Sequence, residues 1–282
     1  MSEFQETLYE GYGQRLQMDR LLHEVRSEQQ HLVIFENARM GRVMALDGVI
    51  RTAEADDFIG HEMLAHVPIF AHGLARRVLI VGGDDGGILR EVARHRDIEG
   101  ITLLGTDPAV VALCREFLPN HSAGAFDDPR LQISHEDVLQ FLATTEQRFD
   151  VILGASTVGE VLSSEEFYQA SRRCLNEDGI LVVRTGVPFM QLGELQSAAK
   201  RMQGLFADWH FYQAAAPTCI GGALAFAWGA CSVQSRKLPL DTLVQRFAGS
   251  GIVTRYYNPH VHAGAFALPQ YVLQAIGKPS ND

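Results

Sequence analysis

The chain has 282 residues, and its 24 basic against 34 acidic side chains leave a formal net charge of −10 at neutral pH. Hydrophobic residues at 46% and charged residues at 21% are the proportions of an ordinary globular protein with ample core, which excludes disordered, collagen-like and disulfide-scaffold classes. The acidic balance argues against general nucleic-acid binding.

The first residues, Met-Ser-Glu-Phe-Gln-Glu-Thr, carry neither a basic n-region nor an apolar h-region, so a cytoplasmic protein is expected. From Gln14 to Thr52 apolar and polar residues alternate, as in His31-Leu-Val-Ile-Phe-Glu-Asn37, with Asn37 and Asp47-Gly48 as turn punctuation. This pattern predicts a small antiparallel sheet and an N-terminal β-domain over residues 1–54, followed by a second domain over 55–282. Past Glu54 the spacing of Phe58, Met63, Leu64, Val67 and Phe70 is helical, and Pro68 is expected to end or kink that helix. The acidic stretch Glu54-Ala-Asp-Asp57 reads as its solvated start.

Short β-branched runs then alternate with amphipathic stretches. Strands are predicted at Arg77–Val81, Gly100–Leu104, Leu131–Ser134, Phe149–Leu153 and Gly179–Val183, with helices near 87–95, 108–118, 137–144 and 165–175. Strand, helix, strand at this spacing means a doubly wound, mostly parallel sheet covered on both faces. A helix over 190–206, strands at His210–Ala215 and Ala223–Trp228, a helix near 239–248 and a C-terminal tail complete the pattern. The apolar run Cys219–Cys231 is too short to span a bilayer and reads as a buried strand pair. Cys114, Cys174, Cys219 and Cys231 are widely spaced, so four buried free thiols are expected rather than a zinc cage or a redox dithiol.

The first predicted strand runs into Val81-Gly82-Gly83-Asp84-Asp85-Gly86-Gly87 and a helix. Glycines at such a place let the backbone turn sharply and approach a ligand at a helix N-terminus; a plain tight turn is the bland alternative. Two aspartates in the loop disfavour a phosphate and favour a neutral or cationic ligand. Asp107, after the next strand, is placed to accept from ribose hydroxyls or to cap the helix begun by Pro108. Asp137, after the third, is placed to accept from an adenine amino group or to cap a helix. His260 and His262 have no third ligand nearby in sequence, so no metal site is expected. Ser156 lacks the elbow of a hydrolase nucleophile.

Several segments together resemble spermidine synthase: Glu10–Gln14, Gln30–Asn37, Gly41–Gly48, Phe58-Ile-Gly-His-Glu-Met63, Val78–Glu91 and Ala123–Arg130. Phe211–Ala214 with Pro217-Thr218, Arg255–Pro259 and Phe266–Tyr271 extend the resemblance over nearly the whole chain. It implies a methyltransferase-like Rossmann domain behind an N-terminal β-domain, a cytoplasmic homodimer, and no tightly bound cofactor. The reaction it implies is aminopropyl transfer from decarboxylated S-adenosylmethionine to putrescine, giving spermidine and methylthioadenosine, so the implied partners are polyamine and adenosyl small molecules, with no nucleic acid and no membrane. The attack is by an amine on a carbon beside a sulfonium. With an ammonium pKa near ~10.4, freeing that amine at pH 7 costs roughly 4–5 kcal/mol. General-base help is worth roughly 10²–10⁴-fold.

Residue by residue, the resemblance implies that Gln30 and His61 line the thioether and acceptor parts of the pocket. Asp85 would hold the donor's aminopropyl ammonium, and Asp137 would accept from the adenine. Gly82 and Gly83 form the donor loop, and Glu62 and Thr157 also match. Elsewhere the family pattern is broken. Its Asp-Ser-Thr-Asp-Pro, which supplies the base and a second acceptor-binding carboxylate, is here Ala155-Ser156-Thr157-Val158, and the loop segment that follows in the family is missing. Gly105 takes the ribose-binding glutamate's position, Asp84 a glycine's, Gly60 and Cys219 those of two pocket tyrosines, and Arg184 a glutamine's. The expectation is therefore that family activity is lost or strongly impaired, with no catalytic base at Ala155. The alternative is a working aminopropyltransferase in which Asp84, Asp85 or Glu160 substitutes and the amine differs. Methyl transfer is a third reading.

Overall fold

The computed structural model describes residues 2–26, 31–155 and 159–278. Strands β1 (Ser2–Gln5) and β2 (Arg15–Met18) form an antiparallel ribbon. Strands β3 (Arg20–Arg26), β4 (His31–Asn37), β5 (Gly41–Leu46) and β6 (Val49–Ala53) pair antiparallel in sequence order. Alternation along β4 sends successive side chains to opposite faces. Leu32 and Ile34 pack with Met44 onto Val110, Cys114 and Leu118, while Val33 and Phe35 pack with Val43, Ala53 and Leu16. One face thus docks on the rest of the chain and the other is covered by the ribbon, whose first strand the sequence pattern did not predict. Asp47 and Gly48, with φ of 51° and 76°, make the β5–β6 turn in the left-handed region that suits the twist of a hairpin. In β6 the register passes from Met44↔Thr52 to Ala45↔Ile50, leaving Arg51 unpaired in a bulge on the edge strand. Bulges re-aim side chains.

Helix α1 (Asp57–His72) continues through Pro68, against the expectation of a break there, and ends at Gly73, whose N–H donates to the Ile69 carbonyl. Met63, Val67, Ile69 and Phe70 are all buried around it. That packing outweighs the hydrogen bond the proline removes. Asp56 and Asp57 are also not solvated: both carboxylates are buried and partnered.

The central sheet has strands β7 (Arg77–Val81), β8 (Gly100–Leu104), β9 (Leu131–Ser134), β10 (Phe149–Gly154), β11 (Leu175–Gly186), β12 (Asp208–Ala215) and β13 (Ala223–Ala230). Their order is β12-β13-β11-β10-β7-β8-β9. The pairings among β7 to β11 are parallel, and β13 and β12 add antiparallel at one edge. The sheet is thus the doubly wound α/β architecture, with a small antiparallel β-unit ahead of it. The run Cys219–Cys231 supplies one strand rather than a pair, because Gly221 and Gly222, both at positive φ, hold its first part in a turn. Helices α2 (Gly87–Ala93), α3 (Pro108–Phe117), α4 (Pro119–Ser122), α5 (Val138–Thr144), α6 (Glu165–Cys174) and α7 (Leu192–Met202) join the strands. Core residues of α1 and α2 lie on one face with Val78, Ile80, Val151 and Leu153, and those of α5, α6 and α7 lie on the other with Leu79, Val81 and Ile152.

Helix α8 (Leu240–Ser250) is followed by two short helices that periodicity did not reveal, α9 (Pro259–Ala265) and α10 (Gln270–Ala275). The link before α9 is anchored by Glu62 in α1, whose carboxylate accepts the backbone N–H of Arg255, Tyr256 and Tyr257, each at 2.8 Å. Cys114 and Cys174 are buried, whereas Cys219 and Cys231 are only half-buried, in correction of the expectation for all four. Among the described residues no helix is long and apolar enough to cross a membrane.

Candidate active site

Strand order reverses between β10 and β7, so their carboxyl ends, Gly154 and Val81, border the crevice where open α/β sheets take ligands. One backbone bond ties these ends together, Ala155 N–H donating to the Val81 carbonyl at 2.9 Å, and a second, Gly82 N–H to the Leu104 carbonyl at 2.9 Å, ties β7 to the end of β8. Gly82 and Gly83, at φ of 79° and 83°, turn the chain in a region that β-carbons disfavour. The Asp85 carboxylate accepts the Gly87 N–H at 2.9 Å and sets the start of α2. His61, from α1, presses on Gly87 so closely that any β-carbon there would overlap its ring.

His61 stands between two carboxylates, with Nε2 at 3.2 Å from Asp85 and Nδ1 at 3.5 Å from Asp57. Burial alone would push its pKa down, but the neighbouring carboxylates of Asp85 and Asp57 carry it up to about 9. Asp85 is held well below the usual carboxylate range, because the His61 charge outweighs burial. Asp57 is lowered too, against burial, by His61, His121 and Arg90, the last with Nη1 at 3.5 Å. An imidazolium between two carboxylates is therefore the state near neutral pH.

Asp84 behaves differently. Its carboxylate accepts the Asp107 N–H at 3.1 Å, yet burial, aided by the charges of Asp85 and Asp107, pushes its pKa up to about 6. A carboxylate with that value is poised to take a proton at neutral pH.

Asp84, Asp85 and His61 share with Ala155 and Arg184 the lining of a narrow space of about 50 Å³. A second cavity of about 440 Å³ lies beside Glu6, Tyr9, Gln191 and Cys219, and Arg51 and Arg184 line both. Strand periodicity explains the placement: Ile180 and Val182 face the α1 core, so Arg184 two positions on takes the same face, as Ala155 does after Val151 and Leu153. The bulge in β6 supplies Arg51. The N-terminal segment closes the larger cavity: Tyr9 Oη donates to Gln191 at 3.1 Å and Gln14 Nε2 to the Thr218 carbonyl at 2.7 Å. Asp56 holds the same loop, accepting the Thr218 N–H and hydroxyl at 2.8 Å each.

Of the residues expected at the site, Gly82, Gly83, His61 and Asp85 come together at the crevice. Gln30, Ser156, Thr157, Val158 and the Glu160 side chain lie outside the described residues. Asp137 is exposed and lines neither cavity; it caps α5, accepting the Gln140 N–H at 2.9 Å. Asp107 likewise caps α3 through Ala109 at 2.8 Å. Gly105, at φ of 71°, is in the left-handed region, where a side chain would be strained. Glu62 serves the backbone rather than the crevice. Two participants were not anticipated, Asp57 and Arg51. The four-residue spacing of Asp57 and His61 on one helix was the available signal for the first, and nothing in the sequence marks the bulge that delivers the second.

A doubly wound sheet with a glycine loop at its switch point, and a β-sheet unit contributing to the pocket, defines a class of α/β proteins whose crevice lies at the strand ends. Residues 57–237 match the spermine/spermidine synthase domain and residues 2–54 the spermidine synthase tetramerisation domain, and the chain belongs to this family. It is 68% identical to a polyamine aminopropyltransferase of Pseudomonas syringae pv. tomato and to polyamine aminopropyltransferase 1 of Pseudomonas aeruginosa, with 100% of both chains covered in each case. Among solved structures, spermidine synthase from Thermotoga maritima is similar at TM-score 0.91 and 34% identity, covering 99% of this chain and 95% of that one. A spermidine synthase in complex with the transition-state analogue AdoDATO is similar at TM-score 0.91 and 35% identity, covering 98% and 95%.

Proposed function

We propose that this protein is a working aminopropyltransferase with a rearranged site, moving an aminopropyl group from decarboxylated S-adenosylmethionine to an amine. The observation that carries this is Asp84, a carboxylate with a pKa near 6 that lines the same narrow space as Ala155, the position of the missing base. The names of the relatives at 68% identity support the reaction class. In the step, the amine lone pair attacks the carbon beside the sulfonium and the C–S pair stays on sulfur. Methylthioadenosine leaves as a neutral thioether, and the proton of the attacking nitrogen passes to Asp84. Asp85, with His61 as its counter-charge, flanks the donor's aminopropyl chain, and the Gly82–Gly83 turn lets the backbone approach the adenosyl part. Asp137 would reach an adenine only with its second oxygen, the first being used in the cap. The match of residues 2–54 to a tetramerisation domain supports a homo-oligomer, with two copies, a homodimer, as the smallest unit in a cytoplasmic setting.

A silent homologue is the second reading, favoured by one arrangement: Ala155 offers only a methyl group and Asp85 is already paired with His61. Purified protein given decarboxylated S-adenosylmethionine and a panel of amines separates the two. Methylthioadenosine formed at an enzymatic rate, and lost in Asp84→Asn, is expected; no release with any amine supports the silent homologue.

A further inference from the structure

Two guanidinium groups stand where the two cavities meet, and among the described residues neither Arg51 nor Arg184 forms an ion pair. Arg51 Nε is buried without a hydrogen-bond partner, and among the described residues Arg184 has only the Cys219 sulfur, 3.7 Å from Nη2. The acids nearest Arg51 have other duties. Glu6 accepts Gln14 Nε2 at 2.8 Å and the Ile50 N–H at 3.0 Å, and Asp47 accepts the His31 N–H at 2.7 Å. Arg51 feels the charge of Arg184: its pKa is lowered first by burial and then by that charge, with Asp47 and Glu6 pulling the other way. Like charges held together out of water are costly unless an anion joins them. The guanidinium fork is shaped for a carboxylate.

A bare diamine is a dication and meets this junction with repulsion. Resting on the aminopropyl-transfer reading above, we propose that the cleft takes a substrate bearing a carboxylate, received by Arg51 and Arg184 where the two cavities join. The carboxylate has two sources. It belongs to the acceptor, if that is an amino-acid amine, or to the donor, if the methionyl tail of S-adenosylmethionine is kept intact. Either way the bonds balance as before: nitrogen–carbon forms, carbon–sulfur breaks, methylthioadenosine leaves, and the nitrogen's proton goes to Asp84. The bulge at Arg51 and the strand-end position of Arg184 bring the two groups together from separate sheets, so the pairing is a property of the fold rather than of one loop.

The test crosses two donors with two acceptors of matched chain: decarboxylated or intact S-adenosylmethionine, with putrescine or ornithine. Methylthioadenosine release and product mass are read for the native protein, Arg184→Gln and Arg51→Gln. A pairing that contains one carboxylate is expected to exceed the carboxylate-free pairing in kcat/KM by about tenfold or more, the scale of a charge-assisted fork. That preference should collapse toward unity in both variants. The winning arm identifies the source. A native preference for decarboxylated donor with putrescine, or a ratio unchanged in both variants, overturns the proposal. Should no pairing turn over, the transfer reading fails separately, and calorimetric binding of the same four compounds decides this one. Tighter binding of a carboxylate-bearing member, lost in Arg184→Gln, sustains it; equal binding, or none, overturns it.

Discussion

At one end of the cleft His61 stands between Asp57 and Asp85, three buried groups whose charges answer one another. At the other end Arg51 and Arg184 stand together without an acidic partner among the described residues. Both ends are assembled from distant parts of the chain, yet they solve opposite problems. In the first, opposite charges balance and hold the glycine loop in place, although His61 Nδ1 makes no hydrogen bond. The second has no ion pair among the described residues, and half-buried guanidinium groups left so are ones that a ligand can answer.

Substitution should separate the two ends by sign. Asp85→Ala leaves His61 with Asp57 alone and the Gly87 N–H without its acceptor, and is expected to cost about 3–5 kcal/mol of stability at pH 7, measured by urea denaturation. The same network has a pH signature. His61 has its pKa raised on folding, so its contribution is fully present below about pH 6.5 and is lost as pH rises through about 9. The loss should be on the order of 3 kcal/mol and largely absent in His61→Gln. Asp84 runs the other way. Its pKa of about 6 lies above the unfolded value, so the folded state is favoured at acid pH and that advantage disappears as pH rises through 6. Asp84→Asn should therefore raise the melting temperature at pH 8 by a few degrees and leave it unchanged near pH 4. The smallest effect is expected at the arginine end. Arg51→Met should be neutral or stabilising, by up to about 1 kcal/mol, because it removes a half-buried charge that Asp47 and Glu6 offset only from a distance, with no ion pair; a loss resembling that of Asp85→Ala would show that the two ends are not different in kind.

The fold was legible wherever one period dominated. The parallel strands fell where β-branched runs lay between glycine-rich turns, and α3 and α6 began at their capping residues, Asp107 and Ser164. What escaped is what tertiary packing decides. Pro68 is carried inside α1 because the core surrounds it, and the short helices α9 and α10 are pinned by Glu62 and by burial rather than by a period of their own. At the site, the resemblance placed His61 and Asp85 each in the pocket, but their ion pair joins a helix position to the glycine loop and was not legible in the sequence. Asp137 and Asp107 show a second limit: both sit at strand ends where a ligand-binding carboxylate is expected, and both spend an oxygen on a helix cap. By sequence Asp84 takes the position of a loop glycine and is one of three candidates to replace the missing carboxylates. Its raised pKa, a consequence of burial that no sequence motif announces, is what supports the proposal that it accepts the proton.

The central claim, that Asp84 takes over proton transfer where Ala155 cannot, is tested most directly by the pH dependence of kcat/KM for native protein and Asp84→Asn, with methylthioadenosine release as the readout. The native profile should fall about tenfold per pH unit below pH 6. The variant should turn over 10²–10⁴-fold more slowly, on the order of a lost general base, with that limb gone. A variant that keeps the native rate and the native acid limb would contradict the account.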